Sequence, residues 1–533
     1  MAGIKIGGFG GISPKTPPRA LKPTQAQQSL NAGVFTGSLK PLKGLGASVQ
    51  TVVGTTQTIY KFGQDSTDET AGWLRWDTDV DVARGQINGD TEEWTFYTGD
   101  GYPKAIHAAA VGSPIHMGLD RPSAALSTAL GSVPSNSADL ALETRVYTYT
   151  YVYKIGGREI ESAPAAGTTS VDVYPGQTVT LTGFLAPGTG YAATHVRVYR
   201  SISGTFLFTS EVALATAIGS GFADDVDPEL LAEEIPSLGW LTPPDDMAGL
   251  TNLPNGIMAG FVGRDVYFCE PYVPHAWPDL YRQTIDHPVV GFGRMDTTLA
   301  VLTKGTPYLI QGSHPDSMVV VKSDIEQACV SKRSIVSINN YVIYCSPDGL
   351  VALTPGGSQI ITESLYTYDQ WQTQIDPTSV HAYHQDNKYI GFYNNGSTTG
   401  CFVFDLTTRE FALSSLTATA GYQSLRNDKL YLHLLGAVKP WGEGSNLTYT
   451  WKSKIFTMPR PLGMSCAQVE AETYPVTAKV YADGALLHTQ TVQNRFPFRL
   501  PVMTARDWEV ELNGTSEVFG ANIAQSMEEL ANV

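Results

Sequence analysis

Between residues 250 and 456 the chain repeats one pattern, and this limits the fold more than any other feature. TTLAVLTKGTPYLIQGS, SIVSINNYVIYCSPDGLVALTPGGSQIIT, KYIGFYNNGSTTGCFVFDLTTREFALSS and NDKLYLHLL with LTYTWKSKIF each place apolar strands on either side of a Gly, Asn or Asp turn. Radial repetition of small sheets of this kind makes a β-propeller. About five degenerate blades can be counted, without a WD or kelch signature.

The rest of the chain also reads as strand and turn. Gly 52, Pro 32 and Tyr 26 in 533 residues supply turn formers and strand formers in quantity. RVYTYTYVYKIGGREIESAPA is a long alternating strand, a Gly-Gly turn and a return. QTVTLTGF, THVRVYRSI and FLFTSEVAL follow at sandwich spacing. In WLRWDTDVDVARGQINGDTEEWTFYTGDGYPK, residues 73–104, Trp76, Thr78, Val80 and Val82 alternate with Asp77, Asp79 and Asp81. That is the period of one half-buried strand. Short helices are expected at Gln25–Asn31, where Thr24 and Gln27 suggest a capping box, at Pro228–Glu234 and near Glu363–Gln374. The expected fold is therefore all-β: a β-propeller-like core, an inserted fibronectin-III-like β-sandwich and an extended N-terminal arm. The arm spans 1–50, a β-rich segment packing with the propeller 51–139, the sandwich 140–243, the propeller body 250–456 and a closing β-domain 457–533.

With a net charge of −16, the chain is a poor candidate for gripping phosphates, which needs a basic face. A negative wall is compatible with nucleic acid sliding past it. Cys269, Cys329, Cys345, Cys401 and Cys466 form no CxxC pair and read as buried free thiols. The start, MAGIKIGGFGGISPK, lacks the apolar core of a secretory signal, and no stretch is long enough to span a membrane as a helix.

Catalytic constellations are not evident. There is no GxSxG elbow and no P-loop, and GGFGG at 7–11 lacks a βαβ context. A calcium loop from Asp77 would need Gly and Glu where Val82 and Asn88 stand. His381 and His384 fall in a strand-like segment, which points them to opposite faces. Asp224, Asp225 and Asp227 read as a solvated turn before a short helix. Trp73, Trp76, Trp94, Trp277, Trp371 and Trp451 read as sheet core rather than as a sugar platform. No catalytic, cofactor or metal residue is assigned.

Several short motifs occur in order along nearly the whole chain. The arm runs Phe-Gly-Gly, Pro-Pro-Arg-Ala-Leu, Gln-Ala-Gln-Gln-Ser-Leu-Asn, Gly-Ser-Leu-Lys-Pro-Leu. The run Trp73–Lys104 follows, then Pro-His-Ala-Trp-Pro at 274–278, Ser-Lys-Arg-Ser-Ile-Val at 331–336, Pro-Asp-Gly-Leu-Val at 347–351 and Phe-Pro-Phe-Arg-Leu-Pro at 496–501. This set resembles the tail nozzle proteins, or tail tubular proteins B, of short-tailed bacteriophages.

The resemblance implies a structural virion component, assembled in the bacterial host cytoplasm. It implies a homo-oligomeric ring, expected to be a hexamer, below the portal–adaptor complex. Genomic DNA would pass through the lumen without sequence-specific binding, and tail fibre or spike proteins would attach outside. The arm would strap a neighbouring subunit, so deleting residues 2–40 would leave a folded monomer. Loops near 113–140 and 436–447 would reach into the lumen. Two other classes share the fold expectation: a virion-associated propeller glycan hydrolase or lyase, and a carbohydrate-binding adhesin.

Overall fold

The computed structural model describes residues 3–531 apart from Asp65, Asn88 and Gly156. The chain forms two compact units. One comprises Met1–Asp79, Val290–Leu309 and Val321–Val533, the other Val80–Val289 and Ile310–Val320.

Four-stranded antiparallel meanders follow one another in sequence. One is built from Asp81–Arg84, Thr95–Thr98, Lys104–Ile106 and Ile115–His116. Another runs from Ala248–Asn252 to Gln283–Thr284, a third from Val289–Met295 to Val319–Lys322, and a fourth from Val336–Ile338 to Gly357–Ile360. His381–Gln385, Lys388–Asn394, Thr399–Asp405 and Phe411–Ser414 make the next. Ala420–Ser424, Lys429–Leu434 and Ala437–Pro440 complete theirs with Gln50–Thr51 from the arm. Serial sheets of this size are the repeating element of a propeller, so the fold is all-β and propeller-like. The turn residues behave as their chemistry requires. Asn339, Asp386, Asn387, Asp428 and Asp483 all hold positive φ, which Asn and Asp tolerate better than other side chains.

The N-terminal arm is part of the first unit's core. Ala26–Leu30 is a strand, inserted between Tyr449–Ser453, which it pairs antiparallel, and Phe411–Ser414, which it pairs parallel. The result is a ten-stranded sheet that continues the His381–Ser414 meander into Thr504–Gly514, Val476–Ala482 and Ala485–Val492. Ile4–Ile6 adds to a second sheet, beside Val518–Ala524. Ile4, Ile6, Phe9, Ile12, Leu21, Val34 and Leu39 are all buried. Phe9 meets Trp451 edge-on at 4.8 Å, and the Trp451 indole donates to the Gly10 carbonyl at 3.0 Å. Gly11 passes so close to Phe411 that a Cβ would lie 2.2 Å from its carbonyl oxygen. This is the physical reason for glycine at that point of the motif. The arm is thus wound into the core of its own unit, and the helix expected at Gln25–Asn31 does not form. A helix of about two turns is marginal by itself, whereas a strand here satisfies two open sheet edges at once. The Gln27 amide donates to the Ser453 carbonyl at 2.7 Å instead of closing a capping box.

In the second unit, Glu143–Ile155, Arg158–Glu161, Thr169–Val173, His195–Ile202 and Thr205–Ala213 form one sheet of a sandwich. Ser127–Leu130, Val179–Thr182 and Phe222–Asp224 form the other. The alternating tyrosines Tyr147, Tyr149 and Tyr151 are fully buried between them with Val173, Val179 and Leu181. Asp224 corrects the solvated-turn reading. It is completely buried, 2.8 Å from the Arg200 guanidinium, and accepts from the Tyr147 hydroxyl at 2.6 Å. Asp225 is exposed, and Asp227 caps a single 3-10 turn at Pro228–Leu230.

Two other expectations change. The alternating run after Trp76 is two strands, not one. Trp73–Trp76 pairs with Thr58–Lys61, Asp81–Arg84 pairs with Thr95–Thr98, and Asp77–Val80 lies between the two strands. Around Glu363–Gln374 the helix shrinks to a turn at Tyr368–Gln370, with a Thr367–Gln370 capping box, running into a π turn at Trp371–Ile375. A short helix at Leu214–Ser220 was not foreseen.

Candidate functional site

Strand periodicity builds a large polar concavity on the sandwich. In Arg158–Glu161, Ile160 turns into the core, so Glu159 and Glu161 share the opposite face. In His195–Ile202, Val198 turns inward and Arg197 and Tyr199 share that outer face. Arg197 stands directly across from Glu211 in the ladder. The chain then returns along the strand edge, where Phe208 exchanges backbone bonds with Ala232 and Glu233. This return places Glu233, Glu234 and Pro236 along one wall. The cleft measures about 440 Å³, with Phe208 and Ala232 among its lining residues.

Its floor is an ion cluster. Arg197 binds Glu161 at 2.9 Å and Glu211 at 3.0 Å, and also binds Glu159. Lys154 bridges Glu159 at 3.0 Å and Glu211 at 2.6 Å. Glu161 is buried, and accepts from the Tyr199 hydroxyl at 2.7 Å and the Thr150 hydroxyl at 2.8 Å. Lys154 and then Arg197 hold Glu159 below the usual carboxylate range. Burial works to raise Glu211, but Lys154 and Arg197 outweigh it and hold this carboxyl low as well. Both are therefore charged at neutral pH, which suits binding a cation and not proton donation. Glu233 and Glu234 are exposed and make no ion pair to any described residue. The cleft thus carries five carboxylates against two cations, beside an aromatic face.

The sequence reading missed this cluster. Its signal was present in two strands whose alternate positions are charged or aromatic, GREIES and HVRVYRS. What was absent was the register that sets them side by side.

The residues singled out in the sequence do not converge. His381 and His384 lie three apart on the strand His381–Gln385. The His381 imidazole faces the Ala418 carbonyl at 3.0 Å. Asp77 binds Arg75, Asp79 lies 3.2 Å from Lys332, and Asp81 accepts from the Gly249 amide at 2.9 Å. Asn88 lies outside the described residues. Among the described residues no group of three or more His, Cys, Asp or Glu is placed to hold a metal. Trp94, Trp277, Trp371 and Trp451 are buried, Trp73 and Trp76 half-buried. All five cysteines are buried and free.

Of the loops read as lumenal, 436–447 is tied down. Ala437–Pro440 is a strand, and Gly444 and Ser445 exchange backbone bonds with Gly44. The span 113–140 contains the strands Ile115–His116 and Ser127–Leu130. The Ser-Lys-Arg-Ser motif is a fastener: Arg333 donates to the Gln57 and Thr419 carbonyls at 2.7 and 2.6 Å, and Ser331 to Val380 at 2.6 Å.

Two buried histidines make the fold acid-sensitive. Burial, and then Arg158, pushes His275 down to about 3. Burial, and then Arg333, pushes His381 down to about 3. Above the unfolded value near 6.5 both states are neutral and the stabilisation is complete. Below it only the unfolded chain binds the proton, so stability falls as pH drops from about 6.5 toward 3. The thermal midpoint is expected to be level from pH 8 to 7 and to decline already between pH 6.5 and 5, before most carboxylates titrate. A midpoint unchanged over that lower interval would refute this account.

No family model matches the chain, and no curated protein does. Among solved structures, BBS1N in complex with ARL6DN is 11% identical over 75% of this chain and 95% of that chain, with a TM-score of 0.29. The exo-β-1,3-galactanase of Phanerochaete chrysosporium is 8% identical over 72% and 100%, with a TM-score of 0.22. PorZ, a surface component of the type-IX secretion system of Porphyromonas gingivalis, is 11% identical over 89% and 82%, with a TM-score of 0.25. Likenesses this distant carry no conclusion about function.

Proposed function

We propose that this chain is a structural component of a short-tailed bacteriophage tail, a nozzle subunit that extends the DNA ejection channel below portal and adaptor. The observation that carries the reading is the order of parts along the chain. A sandwich is inserted between the meander Asp81–His116 and the meander that opens at Ala248, and the nozzle-like motifs stand in sequence around it. The net charge of −16 suits a channel wall that DNA must slide past, because like charge prevents sticking. A glycan hydrolase using the acidic cleft would need one carboxyl protonated as general acid. Glu159 and Glu211 are held ionised, so neither of these two suits that acid role.

Negative-stain electron microscopy of the full chain, alone and with its portal–adaptor complex, tests the proposal. Rings with a central hole, or an added collar on the complex, are the expected result. Single particles that never join the complex would overturn it and direct attention to glycan binding.

A further inference from the structure

The segment Asn494–Met503, NRFPFRLPVM, presents large apolar side chains at the surface. Phe496 is 72% exposed, Val502 fully exposed and Met503 partly exposed. Arg495 and Arg499 are exposed and pair with no carboxylate among the described residues, in a chain with a large acidic excess.

The segment is held in place. The Asn494 carboxamide accepts from the Phe496 amide at 3.0 Å, the Arg495 carbonyl from the Gln468 side chain at 2.8 Å, and the Leu500 amide donates to Ser465 at 2.8 Å. Leu500 is buried, and Pro497 and Pro501 stiffen the span. An apolar and cationic loop fixed in this way loses little further entropy on binding. Monomeric surfaces seldom display one without a partner.

The chain itself carries a matching surface. The sandwich cleft offers Glu233 and Glu234 without ion pairs, a net negative floor, and Phe208, Ala232 and Pro236 as apolar lining. We propose that the loop Asn494–Met503 of one copy docks in the acidic cleft of a second copy. Arg495 and Arg499 pair with Glu233 and Glu234, and Phe496 packs toward Phe208. Loop and cleft are different surfaces, so the contact is heterologous, and repeating it closes a ring or extends a filament. This is a joint that a nozzle ring requires, but the inference rests on complementarity within the chain and not on the tail reading.

Sedimentation velocity of the full chain at low salt tests it. Arg495→Glu/Arg499→Glu and Glu233→Arg/Glu234→Arg each alter exposed residues only. Wild type is expected to self-associate, more weakly as salt rises from about 50 to about 500 mM, because screening shortens the reach of the charges. Each reversed variant alone is expected to associate at least about tenfold more weakly, the equivalent of about 1.4 kcal/mol. An equimolar mixture of the two is expected to recover association, since each loop then meets a cleft of opposite charge. Misfolding cannot produce that recovery. A wild type that stays monomeric, a variant that associates like wild type, or a mixture that does not recover would each overturn the joint. Rings that survive either reversal would sink the joint and leave the nozzle reading standing. Failure to add to the portal–adaptor complex would do the opposite.

Discussion

Removing residues 2–40 is expected to prevent the first unit from folding, rather than to leave a folded monomer that fails to assemble. Seven large apolar side chains of this segment are buried in the unit's core: Ile4, Ile6, Phe9, Ile12, Leu21, Val34 and Leu39. Each contributes roughly 1.5–3 kcal/mol by burial, so the loss is on the order of 10 kcal/mol. That equals or exceeds the whole stability of an ordinary domain, about 5–15 kcal/mol. The deletion also withdraws the strand Ala26–Leu30 from between Phe411–Ser414 and Tyr449–Ser453. Two buried sheet edges lose their partners, and unpaired backbone groups away from water are costly. The expected outcome is insoluble or protease-sensitive protein. A milder probe, Phe9→Ala, leaves the strand in place and removes the ring against Trp451. It is expected to destabilise by about 3–5 kcal/mol. A truncated chain with a cooperative, near-wild-type thermal transition would show that the arm is dispensable.

The second large effect is expected at Asp224. Its carboxylate is fully buried against Arg200, itself only 1% exposed, and the Tyr147 hydroxyl donates to it. The ion pair links the strand His195–Ile202 of one sheet to Phe222–Asp224 of the other. Asp224→Ala leaves a buried guanidinium without its counter-charge, which costs about 3–5 kcal/mol. For a unit of this size the midpoint should fall by on the order of 10 °C. Replacing both partners, as Arg200→Met with Asp224→Leu, removes the orphaned charge and should recover most of that loss. Calorimetry of the single and double variants separates the two cases. If Asp224→Ala alone moves the midpoint by less than about 2 °C, the pair does not hold the sandwich together.

Much of the architecture was legible without coordinates because it rests on short-range chemistry. The alternation of Glu143–Ile155 and the Asn, Asp and Gly turns of residues 336–434 are local signals, and the strands they predict are present. Local signals failed where a distant strand decided the outcome. Gln25–Asn31 carries a helix-start pattern, yet two open sheet edges from residues 411–414 and 449–453 claim it as strand. The alternation from Trp76 to Val82 suggests one strand, yet its two ends, Trp76 and Asp81–Val82, pair with different neighbours.

The acidic cleft shows the same division. Glu159, Glu161 and Arg197 were visible at alternating charged or aromatic positions, and the sequence by itself determined which face of its own strand each would occupy. It also determined the all-β character and the burial of the cysteines and of most of the tryptophans in sheet interiors. Only the tertiary structure decided that Arg197 stands across from Glu211, that Asp224 is a buried counter-ion, and that the N-terminal arm closes its own core. The period of a strand is set by each residue's backbone geometry, whereas register and strand order depend on which remote edges the folded chain brings within hydrogen-bonding distance.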